Sequence, residues 1–262
     1  MNLLNPKQVF LENNLKPIKS LGQNFLTSQG ILKKIVDASN LNEDDIVLEI
    51  GPGIGTLTFE LAKHCKKVIA IEKDGEMVKI LKQNSLNNVE IINADFLEID
   101  LDSLGFNKVV ANLPYYITSP VIQKLLQSSA QEMILMIQKE VGQRICSSPP
   151  KMNILAISIQ FYSNPKILFP VSKGNFWPRP KIDSTVIKLI KKQKPDINEK
   201  LFFQIVKAGF SHNRKQLVNN LSSELKLDKE KVKEWLLKNK IDFKARAETL
   251  EVKDWINLTN TF

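Results

Sequence analysis

The spacing of apolar residues changes period several times along the chain. Residues 27–39, TSQGILKKIVDAS, place Ile31, Leu32, Ile35 and Val36 a helical turn apart behind a Thr/Ser start, which predicts a capped helix. DIVLEIGPGIGTLTFELAKHC reads as a short apolar strand, a glycine turn and a helix. KVIAIEKD predicts a second strand ending in an acid, VEIINADFLEI a third ending near Asp95, and KVVANLPY a fourth. Helical patterns separate these runs, as over 75–84 and 117–127. Strand and helix in alternation predict an α/β fold: a doubly wound, mostly parallel sheet with helices on both faces.

Later, NILAISIQFYSNPKILFPVS and STVIKLIKK alternate like further strands at the sheet edge. The polar, proline-containing KKQKPDINEK is the best boundary, giving expected domains of 1–190 and 191–262. Beyond it KLFFQIVKAGF, KQLVNNLSSEL, KEKVKEWLLKN and VKDWINLT are helical in period, so the second domain is expected to be a small helical bundle. There is no internal repeat and no low-complexity segment.

Composition narrows the class. At 262 residues, 43% of them hydrophobic, the chain can bury one large core and a smaller one. The longest apolar run, MILMI, is far too short to cross a bilayer. The first twenty residues lack a secretion or import pattern, so a cytoplasmic location is expected. Two cysteines and two histidines argue against a disulfide framework, and no metal site is expected. The net charge of +9 is uneven: residues 188–262 hold 17 Lys/Arg against 10 Asp/Glu, while residues 1–187 hold 20 against 18. A basic tail beside a near-neutral catalytic-sized domain suggests a polyanionic partner, most simply nucleic acid; a solvated lysine-rich helical surface accounts for the same balance.

The candidate chemistry sits at strand ends. Gly51, Gly53 and Gly55 in EIGPGIG allow a tight turn and close backbone approach to a nucleotide-like ligand. Their G-x-G-x-G spacing is not the G-x-G-x-x-G of dinucleotide enzymes. Glu72, 21 residues after Gly51, can accept both hydroxyls of a ribose. Asp95 offers a carboxylate to an adenine amino group, with Ile71 and Phe96 as apolar walls. Each has a blander reading, as a structural glycine turn or a rim acid. Together they predict a nucleoside pocket and leave both NAD and S-adenosylmethionine open.

The fourth strand end, Asn112-Leu113-Pro114-Tyr115, resembles the (Asn/Asp/Ser)-x-Pro-(Tyr/Phe) signature of S-adenosylmethionine-dependent amino-methyltransferases. An exocyclic amine on a base is a poor nucleophile because its lone pair is delocalised into the ring. The side-chain oxygen of Asn112 and the backbone oxygen of Leu113 can accept its N–H groups and favour a pyramidal nitrogen. Pro114 restricts Leu113 so that its carbonyl keeps one direction. Tyr115 offers a ring on which an extruded base can stack. No strong general base is required; alignment carries most of the rate.

Over nearly its whole length the chain resembles the ribosomal RNA adenine N6,N6-dimethyltransferases that modify small-subunit RNA. The likeness is carried by LGQNFL, EIGPGIGTLT, IEKD, ADF, NLPYYITSP, QKEVGQRI and FWPRPKIDSTV, and in the tail by GFSHNRKQLVNNL and RAETLEVKDW. It implies a Rossmann-like class I methyltransferase fold and transfer from S-adenosylmethionine to two adjacent adenosines of 16S ribosomal RNA. It further implies that Gln23, Asn24, Phe25 and Leu26 cover the methionine end of the cofactor, and that Gly51 contacts its backbone, Glu72 its ribose and Asp95 its adenine. Asn112 would touch both cofactor and target amine, and Phe176 would form a second wall against the flipped adenine. The chain departs from the pattern at SSPPKMNILAIS, where relatives often have Tyr-Gly-x-Leu; this weakens inference only about the loop at 147–154. Arg144, Arg179 with Lys181, and Arg214 with Lys215 are basic clusters suited to phosphate contact. A monomer is expected. One rival is the sister family that dimethylates a large-subunit adenine, from which the tail differs; another is an assembly factor that docks on immature subunits.

Overall fold

The computed structural model describes residues 4–84 and 86–262. In chain order the elements are α1 (Pro6–Glu12), β1 (Phe25–Leu26), α2 (Gln29–Ser39), β2 (Ile46–Ile50), α3 (Thr58–Leu61), β3 (Lys67–Glu72), α4 (Gly75–Gln83), β4 (Val89–Asn93), β5 (Lys108–Asn112) and α5 (Thr118–Gln127). They continue with β6 (Glu132–Gln138), α6 (Lys139–Ile145), α7 (Ile154–Tyr162), β7 (Ser163–Val171), β8 (Phe176–Trp177), β9 (Ser184–Lys191), α8 (Glu199–Gly209), α9 (Leu217–Leu225), α10 (Lys229–Lys238) and α11 (Val252–Asn260).

Two compact units result. One comprises the chain up to Gly142 together with Pro165–Lys191; the other comprises Gln143–Asn164 and Lys192–Phe262. The first is the α/β unit. Among the described residues its seven-stranded sheet runs β4-β3-β2-β5-β6-β9-β7. The pairs β3–β4, β2–β3, β2–β5 and β5–β6 are parallel, and β9 lies antiparallel to β6. Parallel strands covered on both faces should be apolar almost throughout. Val47, Leu48, Val68, Ile69, Val109, Val110, Ile134 and Leu135 are accordingly buried.

The strand order decides where a ligand can bind. From β2 the chain proceeds outward through β3 to β4, then returns to start β5 on the other side of β2. Helices leaving the C-terminal ends of β2 and β5 therefore diverge, and a crevice opens between them at this reversal. Gly51 follows β2 and Asn112 ends β5, so both sit at its lip.

The helical unit corrects two expectations. Residues 154–162, read as part of a strand, form α7. Ile157, Ile159 and Phe161 alternate with Ser158 and Gln160, which imitates a period of two. Asn153 instead caps a helix by accepting from the Ala156 N–H at 3.1 Å. Gln160 spends its amide on the carbonyls of Ile145 and Ser147. The second correction follows from the first. The expected boundary near 190 agrees with the end of the α/β unit at Lys191, but Gln143–Asn164 belongs with the helices. Met152, Ala156, Ile157 and Phe161 share a core with Phe202, Ile205, Leu217, Leu221, Leu236 and Trp255. The rings of Phe161 and Phe202 lie 4.4 Å apart.

Candidate active site

The crevice at the strand reversal is a cleft of about 1030 Å³, its open mouth included. The turn after β2 shapes its floor. Gly51 and Gly53 have φ of 67° and 59°, in the left-handed region where a side chain costs energy. A Cβ on Gly53 would lie 2.8 Å from the Phe25 ring, so glycine is required there. Phe25 is held by β1 pairing with β8, in register with Trp177, and by Phe10, whose ring centroid is 5.1 Å away. The Gln23–Leu26 segment thus bears directly on the glycine turn.

Gln23, Asn24, Phe25, Leu26, Gly51, Gly53, Glu72, Asp95, Phe96, Asn112, Leu113, Pro114 and Tyr115 all line the cleft. Glu72 is buried at the end of β3. Its Oε2 accepts from the Gly53 N–H at 3.0 Å and its Oε1 from the Asp74 N–H at 2.9 Å. Burial pushes its carboxyl pKa up, and these backbone donors oppose the shift. Each oxygen keeps a lone pair for a ligand hydroxyl. Gln23 is clamped at both ends: Oε1 accepts from the Ile18 N–H at 2.7 Å and Nε2 donates to Asp74 at 2.6 Å. Asp95 accepts from the Leu97 N–H through Oδ1 at 3.0 Å and from Lys73 Nζ through Oδ2 at 2.8 Å. Lys73 foremost holds its carboxyl below the usual carboxylate range.

At the end of β5 the Asn112 side chain turns its NH2 toward the Asn24 carbonyl, 3.4 Å away. A carbonyl can only accept, so the opposite amide orientation would set oxygen against oxygen. Among the described residues neither Asn112 Oδ1 nor the Leu113 carbonyl receives a hydrogen bond, while the Leu113 N–H is fixed on Met136 O at 3.0 Å. Two unspent acceptors therefore stand side by side at one strand tip. Tyr115 is pinned through its hydroxyl to Ser184 Oγ at 2.5 Å, and burial raises its pKa, so it stays neutral.

Among the cleft residues to which the sequence reading gave no role, Glu49, Lys73 and Tyr116 carry polar groups. Glu49 lies within β2, only 2% exposed, and its Oε2 has no hydrogen-bond partner among the described residues. Burial raises its pKa to about 8; the Thr58 hydroxyl lowers it and the Glu72 charge adds to the rise. The signal was present in the strand IVLEI, where one acid interrupts an otherwise apolar buried run. Lys73 and the exposed ring of Tyr116 also line the mouth.

Phe176 is not brought to the cleft wall, contrary to expectation. It is 5% exposed, paired with Leu26 across the β1–β8 ribbon, and belongs to a core with Val171 and Val186. Its bulk is spent on that core. The five cations read as phosphate contacts are all exposed: Arg179 and Lys181 on the α/β unit, and Arg144, Arg214 and Lys215 on the helical unit. Arg214 and Lys215 lie in the exposed stretch 211–216, anchored beneath by Asn220 Nδ2 donating to the Gly209 and His212 carbonyls.

The profile of the ribosomal RNA adenine dimethylase family matches residues 14–262. The chain is 43% identical, over 97% of its length and 94% of the relative's, to the ribosomal RNA small subunit methyltransferase A of Alkaliphilus oremlandii. It is 40% identical to the protein of the same name in Geobacillus kaustophilus, covering 92% of this chain and 89% of that one. A dimethyladenosine transferase from Plasmodium falciparum superposes with a TM-score of 0.75 at 29% identity, over 89% of this chain and 95% of that chain. The 23S rRNA methyltransferase ErmE shares the fold, with a TM-score of 0.74 at 23% identity, over 90% of this chain and 98% of that chain. With the strand-reversal cleft and its N-L-P-Y tip in place, this chain belongs to the ribosomal RNA adenine dimethylase family.

Proposed function

We propose that the protein transfers methyl groups from S-adenosylmethionine to N6 of two adjacent adenosines in a loop near the 3′ end of small-subunit (16S) ribosomal RNA, giving N6,N6-dimethyladenosine. The family match and the small-subunit relatives support the substrate; the cleft supports the residues. The cofactor fits on two counts. Gly51 and Gly53, at φ of 67° and 59°, bring bare backbone to the cleft floor, and the unpartnered Glu49 oxygen leaves a buried acceptor there for a ligand. Glu72 would hold the ribose hydroxyls and Asp95 the adenine amino group, with Ile71 and Phe96 against the ring. Gln23 to Leu26 would close over the methionine end. When bound, S-adenosylmethionine supplies an electrophilic methyl group.

The chain's own residues prepare the nucleophile. Asn112 Oδ1 and the Leu113 carbonyl take the two N–H groups of the target amine, localise its lone pair and aim it into the cleft. One N–H remains after the first transfer, so one acceptor suffices to hold the monomethylated amine for the second. The nitrogen gains carbon and loses a proton to solvent each time. Tyr115, immobilised through Ser184, presents its ring to the base. The exposed cations hold phosphates, those of the helical unit supplying most of the RNA affinity. No helix among the described residues is long and apolar enough to cross a membrane.

The observation that carries this reading is the pair of unspent acceptors at Asn112 and Leu113, with the amide orientation dictated by Asn24. Incubating the protein with small-subunit RNA and a labelled methyl donor, followed by mass spectrometry of the nucleosides, tests it. Dimethyladenosine in the small-subunit RNA is expected. Label confined to large-subunit RNA, or none on adenine, would defeat the proposal.

A further inference from the structure

Lys73 follows β3 and extends along the cleft mouth, its side chain 55% exposed. Its ammonium sits 2.8 Å from Asp95 Oδ2, the free corner of a carboxylate whose other oxygen already takes the Leu97 N–H. Asp95 is the acceptor assigned to the adenine amino group under the proposed function, and the inference rests on that assignment. An adenine amine arriving there is a second donor at a carboxylate whose Oδ2 already neutralises the Lys73 ammonium, so the two compete for the same negative charge. The lysine's alternatives lie outward. It stands on a flexible stem at the open side of the cleft, beside the half-exposed ring of Tyr116, whose hydroxyl feels its charge. The remaining charged groups facing this ammonium are the acids Glu98 and Asp95. An RNA phosphate at the mouth would offer it a further charge-assisted partner outside the cleft.

We infer that Lys73 is a positioning residue with two partners, bound to Asp95 in the cofactor-free protein and released to an RNA phosphate when the cofactor's amino group takes that carboxylate. The exchange couples the two ligands. Cofactor frees a cation for RNA, and RNA withdraws a competitor from the cofactor; by linkage the two effects are equal. The pair is solvent-exposed, so the coupling is modest and sensitive to salt.

Calorimetry of the full-length chain with S-adenosylhomocysteine, which cannot methylate RNA, tests this at low ionic strength. The second ligand is a hairpin RNA with adjacent unpaired adenosines, held at saturation by its own titration. Lys73→Met should tighten S-adenosylhomocysteine binding roughly two- to five-fold, a gap that closes with added salt. RNA should tighten it by a similar factor in the wild type and in Lys73→Arg, but not in Lys73→Met. Unchanged or weaker binding by Lys73→Met overturns the inference, as does an RNA effect absent from the wild type or retained without the lysine. Asp95→Ala separates the underlying assignment. If it leaves affinity intact, the placement of adenine on Asp95 fails; if it weakens binding while Lys73→Met changes nothing, only the coupling fails.

Discussion

Glu49→Gln is the sharpest perturbation available, because it removes one titrating group and almost no volume from a fully buried site. The carboxyl sits in β2 between apolar strands, with Glu72 close enough to repel it and one oxygen unbonded. Burial first, then the Glu72 charge, raises its pKa from 4.5 to about 8. Below pH 4.5 the group is protonated folded or unfolded and has no effect. Between 4.5 and 8 the unfolded chain gives up a proton that the folded chain retains, so rising pH favours unfolding by up to about 1.4 kcal/mol per pH unit. A shift of that size accumulates to roughly 5 kcal/mol by pH 8, an upper figure comparable to the net stability of many domains. Glu49→Gln abolishes this contribution. Urea unfolding of both cofactor-free proteins from pH 5 to 9 should give near-equal stabilities at the acid end and a variant that is progressively more stable toward pH 8. The raised pKa of Glu72 gives both proteins a slope of the same sign, somewhat reduced in the variant because the two acids are coupled. Stability curves that stay parallel across the range would refute the placement of a proton on Glu49.

The remaining predictions concern the strand tip, the turn and the RNA surface. Asn112→Ala should cut methyl transfer by about 10²–10³-fold while leaving salt-dependent RNA binding unchanged; single-turnover assays at near wild-type rate would sink the two-acceptor account. Gly53→Ala forces a side chain to φ 59° and against the Phe25 ring. It should lower Tm by several degrees from a backbone cost of about 1–2 kcal/mol, and weaken cofactor binding besides; an unshifted melting curve contradicts this. Replacing Arg214 and Lys215 by Gln should reduce the slope of log affinity against log salt by about two, and an unaltered slope would remove both from the interface.

The residues legible from sequence share one property: their role follows from local chain direction. A glycine after a strand must turn, an acid at a strand end must face the crevice, and a proline after Asn112-Leu113 must fix the carbonyl before it. Those inferences need only the fold class, and the cleft assembles Gly51, Gly53, Glu72, Asp95 and Asn112 through Tyr115; Gly55 does not line it, and a Cβ there would meet Phe59 and Leu81 instead. The misreadings were decided by partners distant in sequence. Ser158 and Gln160 looked like the polar face of a strand because the carbonyls of Ile145 and Ser147, which satisfy Gln160, lie 13 to 15 residues away. Phe176 looked like a base-stacking ring because nothing local reveals that Leu26, 150 residues earlier, pairs with it.

Glu49 and Lys73 extend the point from structure to energetics. Each is an ordinary residue by type, and each departs from its ordinary state only through neighbours that tertiary structure supplies. The carboxyl of Glu49 is driven toward neutrality by burial beside Glu72; the carboxyl of Asp95 is driven toward ionisation by Lys73. Opposite shifts at two ends of one cleft make it polar along its length, with a suppressed charge deep in the sheet and a compensated one at the mouth. A ligand bringing positive charge to the first and a neutral amine to the second would relieve the deep penalty and compete with the outer pair. Measured at pH 9, above the raised Glu49 pKa, and without RNA so that no transfer occurs, the affinity of S-adenosylmethionine should therefore respond differently to the two changes: Glu49→Gln weakens it, whereas Lys73→Met strengthens it. Changes of the same sign in both variants would mean that the cleft does not discriminate its ends by charge.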